Sequence, residues 1–502
     1  MVKKMHKLNT TYNKLCPLRT MISYATGDCA VSLVMNSVFG FAMLYYTDAL
    51  GLKPSLAGFA MFIASLWDAV SAPIMGHITD NTRSRFGRRH PFILLGGIGM
   101  IVCFYFVWVV PSPFKESMTV LFWYLVVMNL LLRTFCTIFS VPFTALGFEM
   151  CTDYIGRTKL QGVRTAIGML ANFFGPALSW SIFFRNNNEG FRATNNSDNF
   201  IHMGTAFSIF AFLFILIVCI STFRYMMDSR ELNTSGKGLK AFYMDMKEIA
   251  LDKFPRGVFA FLFFVVLGIT LTSTLQMYLY EHYMKLEGMQ KTFAHGGTMI
   301  GMALGAAAAA RLTKLFDKKK SIVIAVIWSV FCNVVLAVLL LPGWLKPNHT
   351  FIFSGIIIPI VFIAFVFFHS AYWFGNGIML PISLSMMADV SEINEARTGI
   401  NKDGSYSAVY SFVSGLGGSV GALFSGYALT MIGFMAGGTQ PQSSYVVWRL
   451  CALTLLAGPF ISMIALIFIM KYPVTKSLLN SIANKKGSIT FGSCDQPIKT
   501  DV

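Results

Sequence analysis

The chain has 502 residues, 55% of them hydrophobic and only 13% charged, with a formal net charge of +17 and a mean hydropathy of +0.61. Soluble domains carry about a quarter charged residues, so this composition all but excludes an ordinary cytosolic enzyme. The 47 phenylalanines, 42 glycines and 29 methionines suit helices packed in lipid, and argue against a disulfide scaffold or a disordered chain.

Residues 1–20 hold Lys3, Lys4, Lys7, Lys14 and Arg19 without an apolar core ending in a cleavage site, so the first apolar segment is expected to stay in the membrane. A bilayer core needs about 20 mostly apolar residues per helix. Such runs occur at 21–46, 56–78, 91–110, 119–147, 161–184, 203–224, 256–281, 293–312, 321–342, 352–387, 405–434 and 446–470. The expected organisation is a tail over 1–20, a six-helix bundle over 21–224, a central loop over 225–255, a second six-helix bundle over 256–470 and a tail over 471–502.

With basic residues at span ends counted with the adjoining loops, 30 of the 40 Lys+Arg fall in the tails and even-numbered loops, 8 in the odd-numbered loops, and two, Arg133 and Arg164, deep inside spans. Loops that keep lysine and arginine face the cytoplasm. Both termini are therefore expected in the cytoplasm, with the chain in a plasma (inner) membrane. The bias explains the basic charge through the lipid bilayer alone, with no nucleic-acid partner. The nine cysteines include no C-x-x-C pair and most lie in apolar stretches, so disulfide and zinc readings fall.

The halves repeat. Span four ends in PFTALGFEMCTDYIGRT, with Glu149 eight residues before Arg157, and span ten ends in PISLSMMADVSEINEART, with Asp389 eight residues before Arg397. Basic clusters follow Gly76 in loop two and Gly305 in loop eight. This duplication predicts an all-α polytopic membrane protein with twelve transmembrane helices in two pseudo-symmetric six-helix bundles, the major facilitator plan.

A charge in mid-membrane costs about 2.5–3.5 kcal/mol even on insertion scales, so Asp28, Asp68, Arg133 and Arg164 each need a reason. In span one, Tyr24, Asp28, Ser32 and Asn36 recur at i+4 and line one face; in span four, Arg133, Thr137, Ser140 and Thr144 line another. Two polar stripes suit a wet cavity for a hydroxyl-rich ligand, the plainer alternative being hydrogen bonding between helices. His369, Tyr372, Trp373 and Asn376 on span ten are candidates for a further lining, or for packing. Gly297, Gly301 and Gly305, and the glycines of span eleven, have the spacing of close helix contacts. No H-E-x-x-H and no paired histidines occur, so an enzyme is not expected, and neither a cofactor nor a bound metal.

The loop GHITDNTRSRFGRRHP at 76–91 resembles the major facilitator signature of glycine, aspartate four residues on, then Gly-Arg-Arg. Its longer form, with TRSRFG before the basic pair, resembles the glycoside-pentoside-hexuronide:cation symporter family of melibiose permease. Gly27-Asp28, YYTDALGL at 45–52, WDAVSAP at 67–73, QGVRTAIG at 161–168 and ADVSEINEARTGINKDGSYS at 388–407 match in family order. The resemblance implies secondary transport of a small glycoside, sugar or sugar acid, coupled to H+ or Na+, by a protein functional as a monomer. It implies that Asp28 and Arg164 anchor the substrate; Tyr24, Ser32, Ser140 and Thr144 of the two polar stripes, with Trp373 and Asn376, are expected beside them. It also implies that Asp68, Thr137 and Ser71 serve the cation. Asp80, Arg85, Arg88, Arg89, Glu149, Arg157, Asp389 and Arg397 are expected to form a cytoplasmic gate.

The chain departs from the family at Gly27 and Gly415, where lysines are expected, at Ser140 and Thr144, which replace an aspartate and a tryptophan, and at Ala72, which replaces a second cation-binding aspartate. A lone Asp68 would hold sodium poorly and could carry a proton instead; an uncoupled facilitator, or a lipid-like or other organic cargo, are the alternatives.

Overall fold

A computed structural model of the protein describes residues 17–82, 84, 86–87, 89–150, 154–184, 193–223, 244, 246–249, 251–345, 350–353, 356–398, 403–437 and 441–470. Twelve helices among the described residues are long and apolar enough to cross a membrane. They are α1 (Leu18–Ser37), α2 (Pro54–Asn81), α3 (His90–Trp108), α4 (Met118–Met150), α5 (Tyr154–Leu178), α6 (Ser197–Thr222), α7 (Lys253–Tyr278), α8 (Gly288–Phe316), α9 (Lys318–Leu340), α10 (Ile360–Thr398), α11 (Asp403–Met431) and α12 (Ser444–Met470). Large apolar side chains such as Ile220, Phe367 and Ile182 lie on the outside, as they do where lipid replaces water.

Local chemistry sets several boundaries. Pro54 and Pro91 sit in the first turns of α2 and α3, where a missing N–H costs nothing. Asn196 caps α6 by accepting from the Asp198 N–H at 2.9 Å. One helical run covers Gly288–Leu340, and Asp317, at φ 66° and ψ 160°, breaks it into α8 and α9. The Asp317 carboxylate accepts from the Lys318 N–H at 2.7 Å at this break.

Two features depart from the sequence expectation. The apolar stretch expected to open span ten at residue 352 instead forms an antiparallel hairpin, β1 (Thr350–Phe353) with β2 (Ile356–Pro359), and α10 begins at Ile360. Its β-branched run, ended by Pro359, favours extended backbone, and so short an apolar run carries no period that separates strand from helix. Span one continues past α1 through two π-helical turns, Val38–Ala42 and Tyr45–Ala49. There Tyr45 donates to the Trp108 carbonyl at 2.6 Å and the Asn129 amide donates to the Tyr46 hydroxyl at 2.7 Å, so the YYTDALGL motif ties span one to α3 and α4.

The chain divides into two compact units. The first holds α1–α6 with the pieces Glu287–Thr292 and Phe434–Pro441; the second holds the rest of α7–α12. In the first, α1 packs on α5 and α6, α2 on α4, and α3 on α4 and α6. In the second, α7 packs on α10, α11 and α12 around a core that includes Val258, Phe261, Met379, Met386 and Ile469. Gly301 and Gly305 of α8 lie so close to the Ser370 and Phe374 carbonyls of α10 that no side chain fits between them.

Candidate functional site

The first unit pairs the four charges that the sequence singles out within its spans. Arg164 of α5 donates through Nε to Asp28 Oδ2 and through Nη2 to Asp28 Oδ1, both at 2.8 Å. The pair is partly open, with side chains 12% and 23% exposed. Nη2 also reaches the Thr144 hydroxyl of α4 at 3.4 Å, so one guanidinium gathers α1, α4 and α5. Its Cζ stands 5.0 Å from the Phe143 ring and 5.6 Å from the Tyr24 ring, and those rings stack 4.3 Å apart. Tyr24 is fully buried and its hydroxyl donates to the Phe143 carbonyl, so it frames the arginine through its ring. Ser32 and Ser140 are half-buried on the same faces, and Asn36 donates to Asn172 of α5.

The second pair joins α2 to α4. Arg133 Nη1 lies 3.2 Å from Asp68 Oδ2, and Thr137 donates to Asp68 Oδ1 at 3.0 Å. Ser71 stands 3.2 Å from Thr137 and donates to the Asp68 carbonyl at 3.2 Å. Sequence reading places Arg133 on the polar face of span four but does not find its partner. The signal available was Arg133 four residues before Thr137, which sets both on one helix face.

The absent lysine at Gly27 has a physical reason. A Cβ there would sit 2.6 Å from the Phe143 ring and 3.2 Å from Val218, the same ring that supports Arg164.

In the second unit, Trp373 and Asn376 are buried. The Trp373 N–H lies 3.3 Å from Gln276 Oε1 and 3.2 Å from His369 Nε2. His369 Nε2 stands 2.9 Å from Gln276 Oε1, and Nδ1 stands 3.4 Å from the Asn333 amide. Asn376 donates to the Tyr372 carbonyl at 3.1 Å. Gln276 and Asn333 escaped sequence reading because a single amide in an apolar helix carries no periodic signal.

The gate residues divide. Asp389 meets Lys318 at 2.6 Å within the second unit. Arg89 is buried and donates to Thr79 at 2.9 Å, and Arg397 is exposed in the last turn of α10. Arg85 and Arg88 lie outside the described residues; Asp80, Glu149 and Arg157 lie on α2, α4 and α5, with side chains outside the described ones. The span-eleven stretch GGSVG at 417–421 has the spacing of a nucleophile elbow, but Ser419 sits within α11 and donates to the Gly415 carbonyl at 2.8 Å. That motif needs a strand-to-helix turn.

Twelve membrane-crossing helices in this order, with ionised side chains paired inside the spans, have the architecture of a polytopic membrane transporter. Residues 23–476 match the family described as MFS/sugar transport protein, and the chain belongs to it, among the glycoside-pentoside-hexuronide:cation symporters of the major facilitator superfamily. The inner membrane symporter YicJ of Escherichia coli (strain K12) is 25% identical over 468 residues, 92% of either chain. The sodium-dependent lysophosphatidylcholine symporter 1-B of Danio rerio is 29% identical over 171 residues, 34% of this chain and 31% of that one. A crystal structure of D-xylose-proton symporter shares the fold, with a TM-score of 0.60 at 13% identity over 91% of this chain and 99% of that one.

Proposed function

We infer that this protein is a secondary active transporter of a small glycoside, sugar or sugar acid, working by alternating access. The forked Asp28–Arg164 pair carries the reading. A carboxylate accepts from sugar hydroxyls while a guanidinium donates to them, and each neutralises the other when no substrate is bound. Both side chains are partly open, and ionised groups kept within a membrane mark substrate or ion pathways. Asp68 serves as the coupling carboxylate, with H+ favoured over Na+ because Ala72 supplies no second carboxylate. The chain works as a monomer in the plasma membrane, with both termini in the cytoplasm.

The test is a panel of sugars and sugar acids assayed by thermal shift on purified protein, with and without sodium and at two pH values. A ligand that stabilises the protein should do so no longer after Asp28→Asn. Unchanged affinity in that variant overturns the anchor assignment. Saturable uptake with counterflow in proteoliposomes then separates a carrier from a receptor.

The similarity to the lysophosphatidylcholine symporter supports a second reading, an amphipathic cargo with a phosphate-bearing head. A guanidinium recognises phosphate as readily as carboxylate. Adding lysophospholipids to the panel separates the two.

A further inference from the structure

The Asp68 carboxylate already has a cation, and it belongs to the protein. Arg133 Nη1 stands 3.2 Å from Oδ2, with the arginine side chain 6% and the aspartate side chain 38% exposed. On the other oxygen, Thr137 donates to Oδ1 at 3.0 Å, and the Thr137 and Ser71 hydroxyls lie 3.2 Å apart. Three side-chain oxygens from α2 and α4 are thus linked at hydrogen-bond distances, and oxygens are the donors a hard cation takes. The Arg133 guanidinium is fixed beside them, its Cζ 4.9 Å from the Phe39 ring.

Charge arithmetic then decides. Asp68 and Arg133 sum to zero, and Ala72, one turn along α2, adds no carboxylate. A sodium ion entering this cluster would place two cations on one carboxylate, and like charges a few ångströms apart repel. The hydroxyls of Thr137 and Ser71 carry no charge to offset it.

The geometry points to Arg133 as a built-in counter-cation that takes the place of a coupling sodium at Asp68. While Arg133 is present, the Asp68–Thr137–Ser71 cluster binds no sodium; without the guanidinium, the same three oxygens form a sodium site. The inference deepens the reading of Asp68 as the coupling carboxylate and rests on it. It narrows the driving ion by excluding sodium.

The experiment uses the full-length purified protein with no solute added, so its failure leaves the sugar reading untouched and is not confused with failure of the sugar panel. Sodium chloride is titrated against choline chloride at constant ionic strength, reading thermal unfolding and equilibrium binding of radioactive sodium. Wild type is expected to show neither a sodium-specific shift nor saturable binding. Arg133→Ala is expected to gain both, and Arg133→Ala with Asp68→Asn to lose them. Arg133→Gln, which keeps the length and polarity of the side chain, serves where the alanine variant does not fold and should also gain the site. Arg133→Lys should behave as wild type. Saturable sodium binding by wild type that Asp68→Asn removes overturns the proposal, and so does a folded Arg133→Ala or Arg133→Gln that binds no more sodium than wild type.

Discussion

Arg164 holds Asp28 with two N–H donors, each 2.8 Å from a different carboxylate oxygen, inside the bundle of the first unit. Removing one member leaves the other as a partly buried, unpaired charge, which is costlier than losing both. Asp28→Asn and Arg164→Gln should each destabilise the detergent-solubilised protein by about 2–4 kcal/mol, at the lower end because the pair is partly solvated. The double variant should recover much of the loss. Arg164→Lys keeps the charge without the fork and should cost about 1 kcal/mol. Thermal or denaturant unfolding measures all four, and strictly additive losses would count against a coupled pair.

Gly27 leaves room for Phe143, and Phe143 supports Arg164. Gly27→Ala should therefore cost about 1–3 kcal/mol through overpacking. Phe143→Leu in the same chain should relieve part of that cost. A Gly27→Ala variant as stable as wild type in the same unfolding assay would show that the ring moves freely.

Two helix glycines should respond with opposite signs. A Cβ on Gly301 would overlap the Ser370 carbonyl, whereas one on Gly162 meets nothing within 4 Å. Gly301→Ala should lose about 1–3 kcal/mol or more as α8 is pushed off α10. Gly162→Ala, in a helix interior with open space, should gain about 0.5–1 kcal/mol. Comparing the two unfolding midpoints controls for the general effect of adding a methyl group.

His369 stands between buried amides on two neighbouring helices, with Nε2 2.9 Å from Gln276 Oε1 of α7 and Nδ1 3.4 Å from Asn333 Oδ1 of α9, and a neutral imidazole donates to one of the two. His369→Phe preserves the ring but leaves one amide oxygen without its imidazole donor, at a cost of about 1–3 kcal/mol. Gln276→Leu added to it should cost less than the sum of the single changes, because one orphaned amide disappears with the substitution. Unfolding of the two singles and the double gives the coupling, and a zero coupling energy would mean that the network does not act as a unit.

Hydropathy alone determined the twelve spans, because the thickness of a bilayer sets a minimum apolar length that few soluble helices meet. The acid-to-arginine spacing at Glu149 to Arg157 and Asp389 to Arg397 exposed the repeat, since duplicated helix ends keep their spacing when their contacts change. The i+4 spacing of Tyr24, Asp28, Ser32 and Asn36 likewise set one polar face of span one, because helical period is a local property. What one helix face meets is not local. Only the tertiary structure showed the fork between Asp28 and Arg164, paired Asp68 with Arg133, joined Lys318 to Asp389, and brought Gln276 and Asn333 to His369. It also turned the stretch before Ile360 into a hairpin, a choice the residues leave open because a run that short has no period of its own.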